Sequence, residues 1–227
     1  LTQWEMETDF HSIFYPRVFA ASALWSGAAD LVSGEWITKA LRETYPSLDA
    51  DTLCLVEGLM FDQSKLKFTT VTTDSILNGI HESSKLRYWR TALARLQAHP
   101  SEPGRGTVPP DQFSEAAFLE DLTVRTEMAI LCEETRNAAR YLYLPDRTVE
   151  QSVSAKRELR RIRTRWDELV ARRVVQWEAW RPGIVSEKEV GYRAHLPAVI
   201  DAALAKGDVA VESEWLFVID LAMTDTH

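Results

Sequence analysis

The chain has 227 residues, 45% hydrophobic and 26% charged, with 34 acidic against 26 basic side chains and a formal net charge of −8. A chain of this length buries enough apolar surface to fold without a disulfide or a metal, and a net negative surface works against general adhesion to nucleic acid or to anionic membranes. Its two cysteines, Cys54 and Cys132, stand too far apart for a zinc site or a secretory disulfide framework, and both lie in apolar runs where buried free thiols are expected.

No run of 18 or more apolar residues occurs, so no transmembrane helix is expected. The N-terminus lacks the basic, apolar, small-residue order of a signal peptide. With the sparse cysteines this leads to an intracellular, cytoplasmic expectation, although the chain starts at Leu1 rather than Met. The eight tryptophans are expected mainly as core anchors, each ring burying a large apolar area.

In chain order, an Ala- and Leu-rich run from Arg17 to Leu31 predicts a helix ending at Ser33-Gly34. A short helix from Glu35 to Thr44 follows, closed by Tyr45-Pro46, because the residue before proline avoids the helical region. Ser47 is placed to cap a third helix through about Met60, with Asp49 and Asp51 at its positive end. Leu66 to Thr73, β-branched and roughly alternating, reads as an extended connector or hairpin edge. A helix capped by Thr73 or Asp74 then carries Leu86, Trp89, Leu93 and Leu96 on one face. Residues 98–112 hold Pro100, Pro103, Pro109, Pro110, Gly104 and Gly106, so a loop or linker is expected there. It divides an N-terminal helical part, 1–97, from a C-terminal part, 113–227, unless both share one domain.

Two long helical patterns come next. Ser114 starts the first, which runs to about Tyr143 with Val124, Met128, Leu131, Ala138 and Leu142 near one stripe and its acids on the other faces. Pro145 ends it. The second runs from Thr148-Val149 to about Trp180, with Leu159, Ile162, Trp166, Leu169 and Trp177 on a heptad-like stripe that Arg173 interrupts. Two long helices joined by a short Pro-Asp turn predict an antiparallel hairpin over about 114–180. Shorter helices are expected at 196–205 and 211–223. The fold class is all-α, a helical bundle or irregular helical array with that hairpin as its spine.

Familiar catalytic signatures are absent from the sequence. It contains no GxGxxG or P-loop turn, no GxSxG elbow, no HExxH and no calcium-loop pattern. Glu127, Glu133 and Glu134 are the carboxylates best spaced for a divalent metal or for acid–base work, and against that stands a helix face answered by neighbouring arginines. Glu57 is a lone acid in an apolar helix and is expected to be paired.

The strongest chemical character lies between Lys156 and Arg173. Eight basic residues, seven of them arginine, stand there against Glu158, Asp167 and Glu168, a local balance of +5 in a chain of −8. Arginine is suited to bidentate contact with carboxylate or phosphate. Three fates compete: carboxylates of the preceding acidic helix, an acidic protein partner such as a second copy, or a nucleic-acid backbone. Candidate partner-binding residues are Arg157, Arg160, Arg161, Arg163, Arg165 and Arg172, with Trp177 and Trp180. The leading functional expectation is a non-enzymatic interaction or assembly module within a larger complex, needing no cofactor. A nucleic-acid-binding subunit using the Arg-rich helix is the runner-up, and a helical enzyme with a carboxylate-bound divalent metal is the third.

Overall fold

The computed structural model describes residues 35–61, 83–99, 114–144, 146–180 and 187–205. Among them run six helices: α1 (Glu35–Thr44), α2 (Ala50–Phe61), α3 (Ser83–Ala98), α4 (Glu115–Tyr143), α5 (Val149–Trp180) and α6 (Glu187–Ala205). The fold is all-α. The helices expected at 17–31 and 211–223, the strand-like run at 66–73 and residues 100–112 lie outside the described residues.

Local chemistry sets the helix ends. Tyr45 bonds back to the Leu41 carbonyl at 2.8 Å and closes α1 ahead of Pro46. The expected cap of α2 moves by two residues. Asp49, not Ser47, accepts the Thr52 backbone N–H at 2.8 Å and the Thr52 hydroxyl at 2.9 Å. A carboxylate at that position answers two donors and meets the helix dipole, while the Ser47 hydroxyl donates to Glu115 instead. Ser114 caps α4 as expected, its hydroxyl oxygen accepting the Ala117 N–H at 3.1 Å. Leu144 is extended, with φ −69° and ψ 130°, as a residue before proline should be. At the start of α5, Thr148 and Gln151 form a reciprocal capping box, each side chain bonding the other's backbone N–H at 2.8 and 3.1 Å.

Helix α4 is central among the described helices. It packs against α3, α5 and α6, while α2 joins α1 to α3. The Tyr45 ring stacks on Phe118 at 4.5 Å between centroids and ties the α1–α2 corner to α4. Nineteen of the 29 residues of α4 are buried, so the helix is covered on most sides. The stripe expected on α4 is buried throughout, but Asp121 and Glu133, expected on its other faces with the remaining acids, are buried too. Neighbours on three sides leave α4 little wet surface.

Helix α5 presents Leu159, Ile162, Trp166 and Leu169, all fully buried, to this core. From α3 come Leu86, Trp89, Ala92 and Leu96, with Leu93 half-buried. α6 begins nine residues before the expected start at Leu196 and carries Pro197 inside it. Proline removes one backbone donor and crowds the preceding turn, yet this helix continues to bury Leu196, Val199, Ile200 and Ala203. One hydrophobic cluster runs from Leu41 to Ala203.

The cysteines differ from each other. Cys132 is buried but Cys54 is exposed, because Thr52, Leu53, Leu55, Val56 and Leu59 take the inner face of α2 and leave position 54 opposite. Trp89 and Trp166 are fully buried core anchors. The side chains of the other six tryptophans and of Glu57 lie outside what is described. No described helix is long and apolar enough to cross a membrane.

Candidate functional site

The basic run of α5 separates into an inward and an outward set. A helix turns about 100° per residue, and the apolar stripe of α5 is pinned to the core, so every other position has a fixed bearing. Residues flanking the stripe reach the acids of α4. Those opposite it face water.

The flanking set forms a ladder. Arg172 pairs with Glu120. Arg165 forks onto Glu127, with bonds of 2.5 and 2.8 Å. Arg161 donates to Glu134 at 2.6 Å and to Glu158 of its own helix at 2.7 Å. Seven residues up α4, from Glu120 to Glu127, match seven residues down α5, from Arg172 to Arg165. That is the signature of an antiparallel pair in heptad register. A further seven up α4 reaches Glu134, but seven down α5 stands Glu158, so Arg161, one turn away, supplies the cation. Arg90 of α3 bonds the same Glu134 at 2.7 Å, so one carboxylate holds three helices together. Arg163 turns the other way, to Asp201 of α6 at 2.9 Å and to Asp167 at 3.2 Å.

At one end the ladder goes below the surface. Asp121 is fully buried and accepts from Arg125 at 3.1 Å and from Arg173 at 2.7 Å, both arginines being 4% exposed. The interruption of the α5 stripe at Arg173 is therefore an ion-paired core position. Beside it, Gln176 donates its amide to Glu120 at 3.2 Å. On the far side of α4, Glu133 is answered by Arg136 of its own helix at 2.6 Å.

The titratable groups follow this geometry. The hydrogen bond from Arg161 holds the Glu158 carboxyl below the usual carboxylate range. The Glu158 and Glu127 carboxylates hold Arg161 and Arg165, respectively, above the usual arginine range. Burial pushes the Cys132 thiol up to about 12, so it is protonated and a poor nucleophile at neutral pH.

Among the described residues no three His, Cys, Asp or Glu side chains gather where they could hold a metal ion. Glu127, Glu133 and Glu134 each face arginine.

Of the sequence-chosen arginines, Arg161, Arg163, Arg165 and Arg172 are ion-paired within the chain, as is Arg173. Arg157 and Arg160 are exposed and meet no carboxylate among the described residues. The same outward face carries Val153 at 52% and Val175 at 57% exposed, with Val149 at 81% at its start. Sequence reading missed these valines, although their spacing from Arg157 and Arg160 places them on the side opposite Leu159, Ile162 and Trp166. Trp177 and Trp180 belong to α5, but their side chains lie outside the described residues.

No known protein family, curated protein or solved structure matches this chain.

Proposed function

We propose that the protein is a helical interaction module that binds another protein chain through the outer face of α5. The observation that carries this reading is the composition of that face: Val153 and Val175, each more than half exposed, bracket Arg157 and Arg160, which no described carboxylate answers. Exposed valines and water-facing arginines on one helix face supply the apolar and arginine groups that protein interfaces combine. The rest of the basic run is engaged inside the chain and serves register and packing. A phosphate backbone is less favoured, because partnering within the chain leaves only Lys156, Arg157 and Arg160 of the original eight cations without a described carboxylate, a small footprint for backbone binding.

A photo-crosslinking residue in place of Val153 or Val175, used in extract from the source cells, tests the reading. Adducts to protein are expected at both positions and not at exposed Gln97 of α3. Equal labelling at all three would sink the proposal. An adduct whose mass collapses on nuclease treatment would transfer the reading to nucleic acid.

A further inference from the structure

We propose that the partner on this face is a second copy of the chain, the two α5 helices crossing antiparallel about a two-fold axis at Thr164. The inference rests on the interaction-module reading and goes beyond it by naming the occupant.

The face is a stripe of exposed residues, Val153, Arg157, Arg160, Thr164, Ala171 and Val175. At 100° per residue these lie within about 40° of the Thr164 bearing. The charges beside the stripe are ordered. Toward the N-terminus of α5 stand Arg157, Arg160 and Arg161; toward the C-terminus stand Asp167, 58% exposed, and Glu168, 56% exposed. Around Thr164 the exposed charges nearest the stripe are basic on the N-terminal side and acidic on the C-terminal side. Such a surface is complementary to its own antiparallel copy, which is the condition for an isologous contact.

The register is specified by the spacing. In an antiparallel two-fold pair, residues on the same side of the stripe meet. Arg160 and Asp167 lie on one side and are seven apart. Arg161 and Glu168 lie on the other side and are also seven apart. Centring the axis on Thr164 brings Arg160 to the partner's Asp167 and Arg161 to the partner's Glu168, and by symmetry the reverse, giving four ion pairs. The same axis sets Val153 against the partner's Val175, since each is eleven residues from Thr164. It sets Arg157 over the partner's Ala171, where the aliphatic stem of arginine packs on a small side chain. Glu150 and Glu178, the outermost acids, fall on opposite sides of the stripe and do not meet.

The contacts within the chain leave room for this on the acids, and Arg161, which meets Glu158 and Glu134 through Nε and Nη2, offers Nη1. Asp167 accepts from Arg163 through one oxygen, Oδ2, and Glu168 from Arg165 through Oε2, while a carboxylate has about four acceptor sites. The seam from Val153 to Val175 is about 33 Å long at 1.5 Å per residue. One helix face of that length buries less than a standard interface, so the dimer is weak and, being partly ionic, weakens with salt.

Sedimentation velocity on the whole chain from about 1 to 500 μM in low salt tests the pairing. The weight-average mass should climb from one chain toward two. R160E and D167R should each weaken association at least about tenfold, a loss of about 1.4 kcal/mol, with the thermal midpoint of the monomer unchanged in R160E and lowered by no more than one exposed ion pair is worth in D167R, which also loses Arg163. Their equimolar mixture should restore it, because every swapped charge then meets its opposite. In a C54S background, T164C should form a disulfide-linked dimer on oxidation and A171C should not, since only position 164 meets itself. A mass that stays monomeric at all concentrations, or variants that fail to complement, would overturn the pairing. Crosslinks from Val153 to a different protein, with a monomeric pure chain, would overturn the pairing and leave the interaction-module reading intact. Absence of both would remove the two together.

Discussion

Asp121 lies fully buried between two guanidinium groups, Arg125 of its own helix and Arg173 of α5. Desolvating such charges costs several kcal/mol per ion, and only close pairing offsets it. Removing the carboxylate takes a close ion pair from each of two buried cations. Asp121→Ala is therefore expected to destabilise the fold by ~3–5 kcal/mol in urea titration. A loss near that of a surface pair, ~0–1 kcal/mol, would mean that water reaches the site. By contrast, Glu127→Ala removes a partner of a guanidinium that is 35% exposed, and its expected cost is ~1 kcal/mol or less. The cysteines give a second contrast at this scale. A thiol reagent should modify Cys54 in the native protein at neutral pH. Cys132, buried and held at about 12, should react only after unfolding. Equal native rates would place Cys132 at the surface.

Single elements were readable where local chemistry and tertiary demand agree. The ends of α4 and α5 fall where Ser114, Pro145 and Thr148 signal them, since caps and prolines act within one turn. The four core residues Leu159, Ile162, Trp166 and Leu169 were equally plain, because a 3.6-residue period survives any arrangement of neighbours. What the sequence hid depends on those neighbours. Asp121 and Glu133 look like solvated acids until α3, α5 and α6 close around α4. Cys54 looks like a core residue until the inner face of α2 is known. The helix expected from Leu196 starts nine residues earlier and carries Pro197 inside it. The arginines of α5 were singled out as a group, and nothing in composition alone splits Arg157 and Arg160 from Arg165 and Arg172. The split needs the bearing of each residue relative to the apolar stripe, which the sequence contains, and the acids opposite, which only packing assigns. Capping gives the element scale its prediction. Ser114→Ala removes the acceptor for the Ala117 N–H and is expected to cost ~1 kcal/mol, with Ser114→Asp restoring it. Failure of the aspartate to rescue would show that Ser114 acts by packing rather than as a cap.

Across the whole molecule, the pH dependence of stability follows from the carboxylates whose values folding lowers. Asp49 is held below the usual aspartate range by the Thr52 backbone N–H and then by the Thr52 hydroxyl. Glu158 is held low by the hydrogen bond from Arg161. A carboxylate whose folded value lies below its unfolded one contributes stability above the unfolded value, and that contribution is lost as pH falls through the folded value. Arg161 and Arg165, held above the usual arginine range, contribute fully at every pH below it and add no slope in acid. The thermal midpoint should then be flat from about pH 8 to 5 and fall below about pH 4. Arg161→Gln removes that guanidinium's pairs with both Glu158 and Glu134. It removes the cation that lowers Glu158, whose side chain is 41% exposed against 51% for Arg161, so the loss at pH 7 is ~1 kcal/mol or less after screening. The gap between wild type and variant should close as pH falls toward 2, because protonated carboxyl groups no longer distinguish the two chains. A gap that persists undiminished in acid would mean that Arg161 stabilises through its stem packed between α4 and α5, and that the pairing with Glu158 adds nothing measurable.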